Sequence, residues 1–294
     1  MSRASSDAAP CRPSGLLAVL VLFERDLSQA LPWPWLQDHL RAPHSAPLQL
    51  QHVLIYDNSP MARVQPEALG AQCSYLHDPT NGGTAAAYQH AVGIAESLGL
   101  GWLLLLDQDS SLPSDYLQAA AHQVQADGAT LSCLVPWVAD QGRPVSPAVV
   151  RPWGTIRPLR RSGTARVGHL AAVASGCLVR VAALRGILPF PRALWLDYVD
   201  HWMFAQLQGR GERVSVLDQR LEHHLSVLAP AQLSPRRLRS ILDGERYFVR
   251  TQGVLARLVY PLRLMARVVR YALVSPPLAA AALGWIAGRG RLEC

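Results

Sequence analysis

Cysteine is scarce in this chain, and what there is forms no recognisable pairing pattern. Cys11, Cys73, Cys133, Cys177 and Cys294 are odd in number, widely spaced and without a C-x-x-C step, which argues against a disulfide framework or a zinc site and fits a reducing compartment. Residues 1–14 hold no apolar core, and the run Leu16 to Phe23 ends on Glu24-Arg25-Asp26 instead of a small-residue cleavage site. They read as a disordered leader ahead of a first strand, not as a secretory signal. Motifs for nucleic-acid recognition are absent, as are aromatics interleaved with basic residues, so no nucleic-acid partner is expected.

What is present bounds the rest. The chain has 294 residues, half of them hydrophobic, and suits one α/β domain of about 230 to 250 residues with an appendage. The net charge of +7 is uneven: between Arg236 and Arg291 eleven Arg face two acidic residues, Asp243 and Glu245. The same stretch holds long apolar runs, a pairing that points to an anionic membrane surface.

The sharpest feature is Trp102-Leu103-Leu104-Leu105-Leu106-Asp107-Gln108-Asp109-Ser110, an apolar run that stops on two carboxylates one residue apart. With 14 Asp in the chain, about one D-x-D triplet arises by chance, so context has to decide. Here the pair follows a buried-strand pattern and precedes the turn cluster Ser110-Ser111-Leu112-Pro113-Ser114. A strand that delivers paired carboxylates to its carboxyl end places a divalent cation at the mouth of an α/β sheet.

Around it, strands are expected at Leu16 to Phe23, Leu50 to Tyr56, Gln72 to Leu76 and Trp102 to Leu106, alternating with helical patterns at Trp35 to Leu40, Ala85 to Leu98 and Ser114 to Gln125. That order implies a parallel doubly wound sheet over residues 15–135, with helices on both faces. Polar clusters at Asp57, Asn81 and Asp107 then share one rim and make a ligand crevice. The loop Asp78-Pro79-Thr80-Asn81-Gly82-Gly83-Thr84 either presents backbone N–H groups to an anion or caps the helix that follows. Residues 136–169 read as a long loop or ragged edge strands. Further on come an apolar segment broken at Ser175-Gly176, a helix from Leu194 to about Gln208, and a short strand at Val214 to Leu217.

Taken in order, Ile55-Tyr56-Asp57-Asn58-Ser59-Pro60, Asn81-Gly82-Gly83 with Ala86 and Tyr88, Trp102 to Ser110, Ser175-Gly176, Leu196 to Trp202 and Glu222-His223-His224-Leu225-Ser226 resemble the inverting, metal-dependent nucleotide-sugar glycosyltransferases of family 2. The nearest likeness is to their rhamnosyltransferase-like branch in polysaccharide assembly. The resemblance covers about residues 16 to 250. It implies a GT-A fold, a Rossmann-like mostly parallel central sheet flanked by helices, in residues 15–250; the helical appendage expected in 251–294 lies outside the match. It also implies a nucleoside-diphosphate-sugar donor and a glycan or lipid-linked acceptor. Asp57, Asn81 and Gly82 are expected near the nucleotide. Asp107 is expected near the ribose and metal, Asp109 on the metal, and His223 as its closing ligand with His224 as competitor. An imidazole among hard oxygen ligands tilts the cofactor toward Mn²⁺ over Mg²⁺.

Inverting transfer also needs a base opposite the leaving group. Asp200 is assigned that role, with Asp197 as the competing carboxylate, one of the two being expected to cap the helix. The chain departs from the wider family in having Val199-Asp200 where an acidic pair is usual, Gln206 near a usual Arg, and His223-His224 where His-Asp is common in this branch. The diphosphate's cationic partner is therefore unassigned. A nucleotidyltransferase and a catalytically inactive membrane-bound scaffold of the same fold are the alternatives, although no Gly-rich basic loop follows Phe23. In the tail, Val254 to Leu273 carries Arg257, Arg263, Arg267 and Arg270 among apolar residues, and suits a helix lying in a membrane interface. Tyr271 to Gly288 is uncharged but interrupted by Ser275-Pro276-Pro277, which disfavours a span and leaves packing on the catalytic domain as the second reading of the tail. The enzyme is expected in the cytoplasm, peripheral at the inner face of the cell membrane.

Overall fold

The computed structural model describes residues 15–42, 48–65, 67, 69–151, 156–159, 170–223 and 233–288. The leader 1–14, much of the 136–169 loop and the block His224-Leu225-Ser226 lie outside the described residues. The described residues form the strands β1 Leu16–Leu22, β2 Leu50–Asp57, β3 Cys73–His77, β4 Trp102–Asp107, β5 Ser110–Ser111, β6 Leu131–Asp140, β7 Arg143–Ser146, β8 Ala148–Val150, β9 Ile156–Pro158, β10 Leu170–Ala171, β11 Leu178–Arg180 and β12 Arg213–His223. The helices are α1 Pro32–Arg41, α2 Gly83–Ser97, α3 Tyr116–Asp127, α4 Val181–Ile187, α5 Val199–Gly209, α6 Pro235–Thr251, α7 Val254–Val274 and α8 Pro276–Ala287.

The main sheet runs β3-β2-β1-β4-β11-β6-β12-β5, with β7 hairpinned onto β6. Its first four strands are mutually parallel, as the alternation of strand and helix requires. Both faces of these strands are covered, which is why they read as unbroken apolar runs. Along β4 the side chains alternate: Leu103 and Leu105 pack with α2, α4 and α5, while Trp102, Leu104 and Leu106 pack with α1 and α3. Asp107 continues the first parity and emerges on the α2 and α5 side.

β6 is a strand inside the sheet that runs on to Asp140, into the stretch 136–169 read from the sequence as a long loop or ragged edge strands. Pro136 is tolerated because no ladder is needed there. Pairing with β11 stops at Leu134, and the register with β12 jumps between Val216–Val135 and Arg220–Trp137. β12 in turn is one continuous strand, where the sequence suggested a short one followed by a separate block. Its far end meets β5 in antiparallel register, His223 opposite Ser110 and Glu222 opposite Ser111.

The last three helices form their own core. Leu238 and Leu242 of α6 pack with Leu264, Val268 and Tyr271 of α7 and with Leu278 and Ala282 of α8. Among the described residues, no helix is long and apolar enough to cross a membrane.

Candidate functional site

Parallel register sets the rim. Leu22 pairs with Asp57 and Val21 with Asp107, so the two carboxylates leave the sheet on either side of the end of β1, about 10 Å apart across two strand spacings. Gln108, between the two Asp of the triplet, is pinned to that end: its Oε1 accepts from Phe23 N at 2.9 Å and its Nε2 donates to Phe23 O at 3.2 Å. The chain then reaches across to pair as β5 with β12, which brings His223 against the carboxylates.

Asp107, Asp109 and His223 each offer a ligand atom within 4.8 Å of the other two. His223 Nδ1 lies 3.2 Å from Asp109 Oδ1 and 2.7 Å from Ser110 Oγ, and its Nε2 is 3.9 Å from Asp107 Oδ2. Ser110 Oγ is hydrogen-bonded to Ser175 Oγ at 2.7 Å, and Ser175 Oγ accepts from Asp107 N at 2.9 Å. With Nδ1–H held by Ser110 or Asp109, the Nε2 lone pair faces Asp107, the tautomer a metal-binding imidazole requires. Two carboxylates and one imidazole at this spacing fit a single divalent cation after small side-chain rotations, with hard donors suited to Mg²⁺ or Mn²⁺. Burial pushes the Asp107 carboxyl up to about 6; His223 opposes this, while Asp109 and Asp200 add to it. Such crowding of negative charge is what a bound cation relieves.

Asp200 faces the same cleft, which is lined also by Thr84, Tyr88, Gln108 and Arg237. Its Oδ1 accepts from His201 N at 2.7 Å and meets His201 Nδ1 at 2.8 Å. Among the described residues its Oδ2 accepts no hydrogen bond. Burial works against protonation of His201, but Asp200, with Glu245 behind it, overrides this and raises the imidazole pKa. Asp197 does something else. It is nearly buried, its Oδ1 2.9 Å from Arg237 Nη2 and its Oδ2 accepting from Ser240 Oγ at 3.2 Å, so it anchors α6. Neither carboxylate is the N-cap of α5; that position is Tyr198, in the left-handed region at φ 64° with no side-chain cap.

The remaining rim residues shape loops. Asp57 is fully buried and accepts from Ser59 N, Arg63 N and Tyr75 Oη at 2.8 to 2.9 Å. Burial raises its pKa, yet these bonds outweigh burial and hold it low. In the Gly-rich loop the N–H groups are taken by protein: Gly82 N donates to Asp78 Oδ2, Gly83 N to Asn58 Oδ1 and Ala85 N to Trp195 O. These bonds hold the loop as a turn against Asp78, Asn58 and the Trp195 segment. Asn81 adopts φ 56° and Gly83 φ 72°, where a Cβ on Gly83 would sit 2.2 Å from Trp195 O. Asn81 and Gly82 lie in this loop but, like Asp57, are not among the residues that line the cleft; Thr84 is the loop's member there.

Sequence reasoning missed Arg237, Ser110 and the backing role of Ser175. The chain contains no lysine, and among the described residues Arg237 is the arginine that lines the cleft. Its only sequence signal is Ser234-Pro235, a helix start whose Ser234 Oγ accepts from Arg237 N.

No curated protein sequence matches the chain. Among solved structures, the fold is similar to GalNAc-T7 crystallised with UDP, GalNAc and Mn²⁺, with a TM-score of 0.53 at 11% identity over 78% of this chain and 47% of that one. It is also similar to residues 1–349 of TarS from S. aureus in complex with UDP-GlcNAc, with a TM-score of 0.51 at 15% identity over 92% of this chain and 80% of that one. The chain spans less than half the length of the GalNAc-T7 chain. At these identities the likeness is one of fold, the GT-A arrangement of a curled, mostly parallel sheet with flanking helices. Residues 34–187, just over half of the chain, match glycosyl transferase family 2 in sequence, and the chain belongs to that family.

Proposed function

We propose that this protein is an inverting, metal-assisted glycosyltransferase that moves a sugar from a nucleoside diphosphate to a glycan or lipid-linked acceptor. The sequence blocks favour L-rhamnose as that sugar. The observation that carries this reading is the convergence of Asp107, Asp109 and His223 on one side of a single cleft that Asp200 also faces. Two similar folds were solved with UDP and a sugar or with a UDP-sugar, which supports a nucleoside-diphosphate sugar as the donor class.

Asp107, Asp109 and His223 would hold a divalent cation, Mn²⁺ or Mg²⁺, and when bound this supplies positive charge against the diphosphate as it departs. Arg237 stands at the same cleft as the diphosphate's second cationic contact, its planar fork suited to phosphate oxygens. Asp57 shapes the 58–63 turn, and the family resemblance assigns it, with Asn81 and Gly82, to the nucleotide's side. Asp200 Oδ2 takes the proton of the acceptor hydroxyl as its oxygen bonds to the anomeric carbon. The bond from that carbon to the diphosphate breaks with its electron pair leaving on the diphosphate, so the configuration inverts.

The test is donor turnover by the Asp109→Ala variant together with thermal stabilisation by nucleoside diphosphates with and without Mn²⁺. Loss of turnover and of the metal-dependent shift in a folded variant is the expected result. A wild-type protein that shows no metal-dependent shift with any nucleoside diphosphate would be an inactive scaffold.

A further inference from the structure

Helix α7 turns the wrong face to water. Leu264, Val268 and Tyr271 are buried against α6 and α8, and the opposite face presents Leu258 at 69%, Leu262 at 72%, Val269 at 60% and Leu273 at 84% exposure. With Leu255 and Met265, also exposed, these side chains recur every three or four residues and make one continuous stripe along the helix. A stripe of this kind on a soluble surface marks an interface.

The charges beside it say what covers it. Arg263 and Arg270 flank the stripe on one side, without an ion-pair partner among the described residues. On the other flank, Arg246, Arg250 and Arg257 surround a pocket between α6, α7 and α8 whose walls include Tyr260 and Trp285 and no carboxylate. Residues 246–292 contain no Asp or Glu. The two nearest acids are turned inward, Glu245 to Arg267 at 2.7 Å and Asp243 to Trp285 Nε1 at 2.7 Å. A second copy of the chain would set these arginine rows against each other with nothing to neutralise them. A sheet of anionic headgroups over hydrocarbon matches both the stripe and its flanks.

We propose that the solvent face of α7 docks on an anionic lipid bilayer, its leucine stripe entering the acyl boundary while the flanking arginines Arg263 and Arg270, with Arg250 and Arg257 on the other side, hold lipid phosphates. α6 joins this face to the cleft, carrying Arg237 into the cleft and packing α7 through Leu238 and Leu242. The docked helix is thereby fixed to the element that borders the site.

Co-sedimentation of the full chain with phosphatidylcholine vesicles, and with vesicles that also contain phosphatidylglycerol, tests this without any donor or turnover, so its result is independent of the transferase reading. Wild type should partition onto the anionic vesicles and much less onto the neutral ones. Leu258→Glu with Leu262→Glu should lower partition about tenfold or more on anionic vesicles at unchanged Tm, since both side chains are exposed. Arg263→Gln with Arg270→Gln should cut the anionic preference by about fivefold per arginine, and decides the matter even if the glutamate variant folds poorly. Wild type that stays off anionic vesicles, a folded glutamate variant that binds as well as wild type, or a wild-type dimer that those glutamates split without vesicle binding would overturn the proposal, the last assigning the face to a second copy.

Discussion

His223 sits opposite Ser110 in the antiparallel pairing of β12 with β5, and Ser110 Oγ meets His223 Nδ1 at 2.7 Å. A two-residue strand thus fixes the imidazole beside Asp109 and sets which ring nitrogen faces Asp107. Ser110→Ala keeps the carboxylates and the imidazole but removes that hold. The expected outcome is an unchanged Tm with Mn²⁺ affinity lowered about 10- to 100-fold, read by calorimetric titration of the metal.

Asp200 and Asp197 separate by variant. Asp200→Asn leaves the geometry in place and removes the proton acceptor, so kcat should fall by about 10² to 10⁴ with donor binding retained. Asp197→Asn breaks the contact with Arg237 on a nearly buried group and should act on stability, by about 2 to 3 kcal/mol, seen as a lower denaturant midpoint. A kcat collapse in Asp197→Asn at full stability, with Asp200→Asn active, would exchange the two roles.

The first half of the fold was legible because each signal was local. Runs such as Leu16 to Leu22 and Trp102 to Leu106 are buried on both faces, and an apolar run with an abrupt polar end carries strand and rim together. What failed to show depended on partners distant in sequence. Pro136 masked β6, since its tolerance rests on where β11 ends and where β12 shifts register. Asp218-Gln219-Arg220 masked the continuity of β12, because that stretch spans the register jump against β6. Asp197 and Asp200 look alike as residues, and only the packing of α6 gives one an arginine and leaves the other an open oxygen. Arg237 carries no local mark of the cleft it lines.

Gly83 should prove intolerant of substitution. Its φ is 72°, and an added Cβ would lie 2.2 Å from the Trp195 carbonyl that also accepts from Ala85 N. Gly83→Ala would carry roughly 1 to 3 kcal/mol of backbone strain plus the clash, which must separate the 78–84 loop from the Trp195 segment. Reduced Tm together with weakened nucleoside diphosphate binding is expected; Gly93→Ala, with open space around its Cβ position, is the control and should be neutral or stabilising.

Asp78 gives the fold an acid-sensitive latch. Burial raises its pKa, but bonds from Thr80, Tyr56 Oη and Gly82 N outweigh this and hold it at about 2, against 3.8 for the free side chain. Between those values the unfolded chain binds more protons than the folded one, so the latch contributes fully above about pH 4 and is lost as pH falls toward 2. Asp78→Asn should flatten that part of the stability curve, measured by urea midpoints from pH 5 to pH 2.5. An unchanged slope would show that the loop is held by other means.

Glu245 is 2% exposed and takes both Arg267 Nη atoms at 2.7 Å, from α6 to α7, with Tyr260 Oη as a further donor at 3.4 Å. Arg267→Met leaves that carboxylate buried and uncompensated, at a cost of about 3 to 5 kcal/mol. Glu245→Gln with Arg267→Met removes both charges and should recover most of the loss, because desolvating the pair offsets much of its attraction. The strain of the single variant falls on the α6–α7 contact, so protection from hydrogen exchange should drop first in α7 and α8, with the central strands β1 and β4 unchanged. Uniform loss across β1, β4 and α7 would instead make the C-terminal helices one cooperative unit with the sheet.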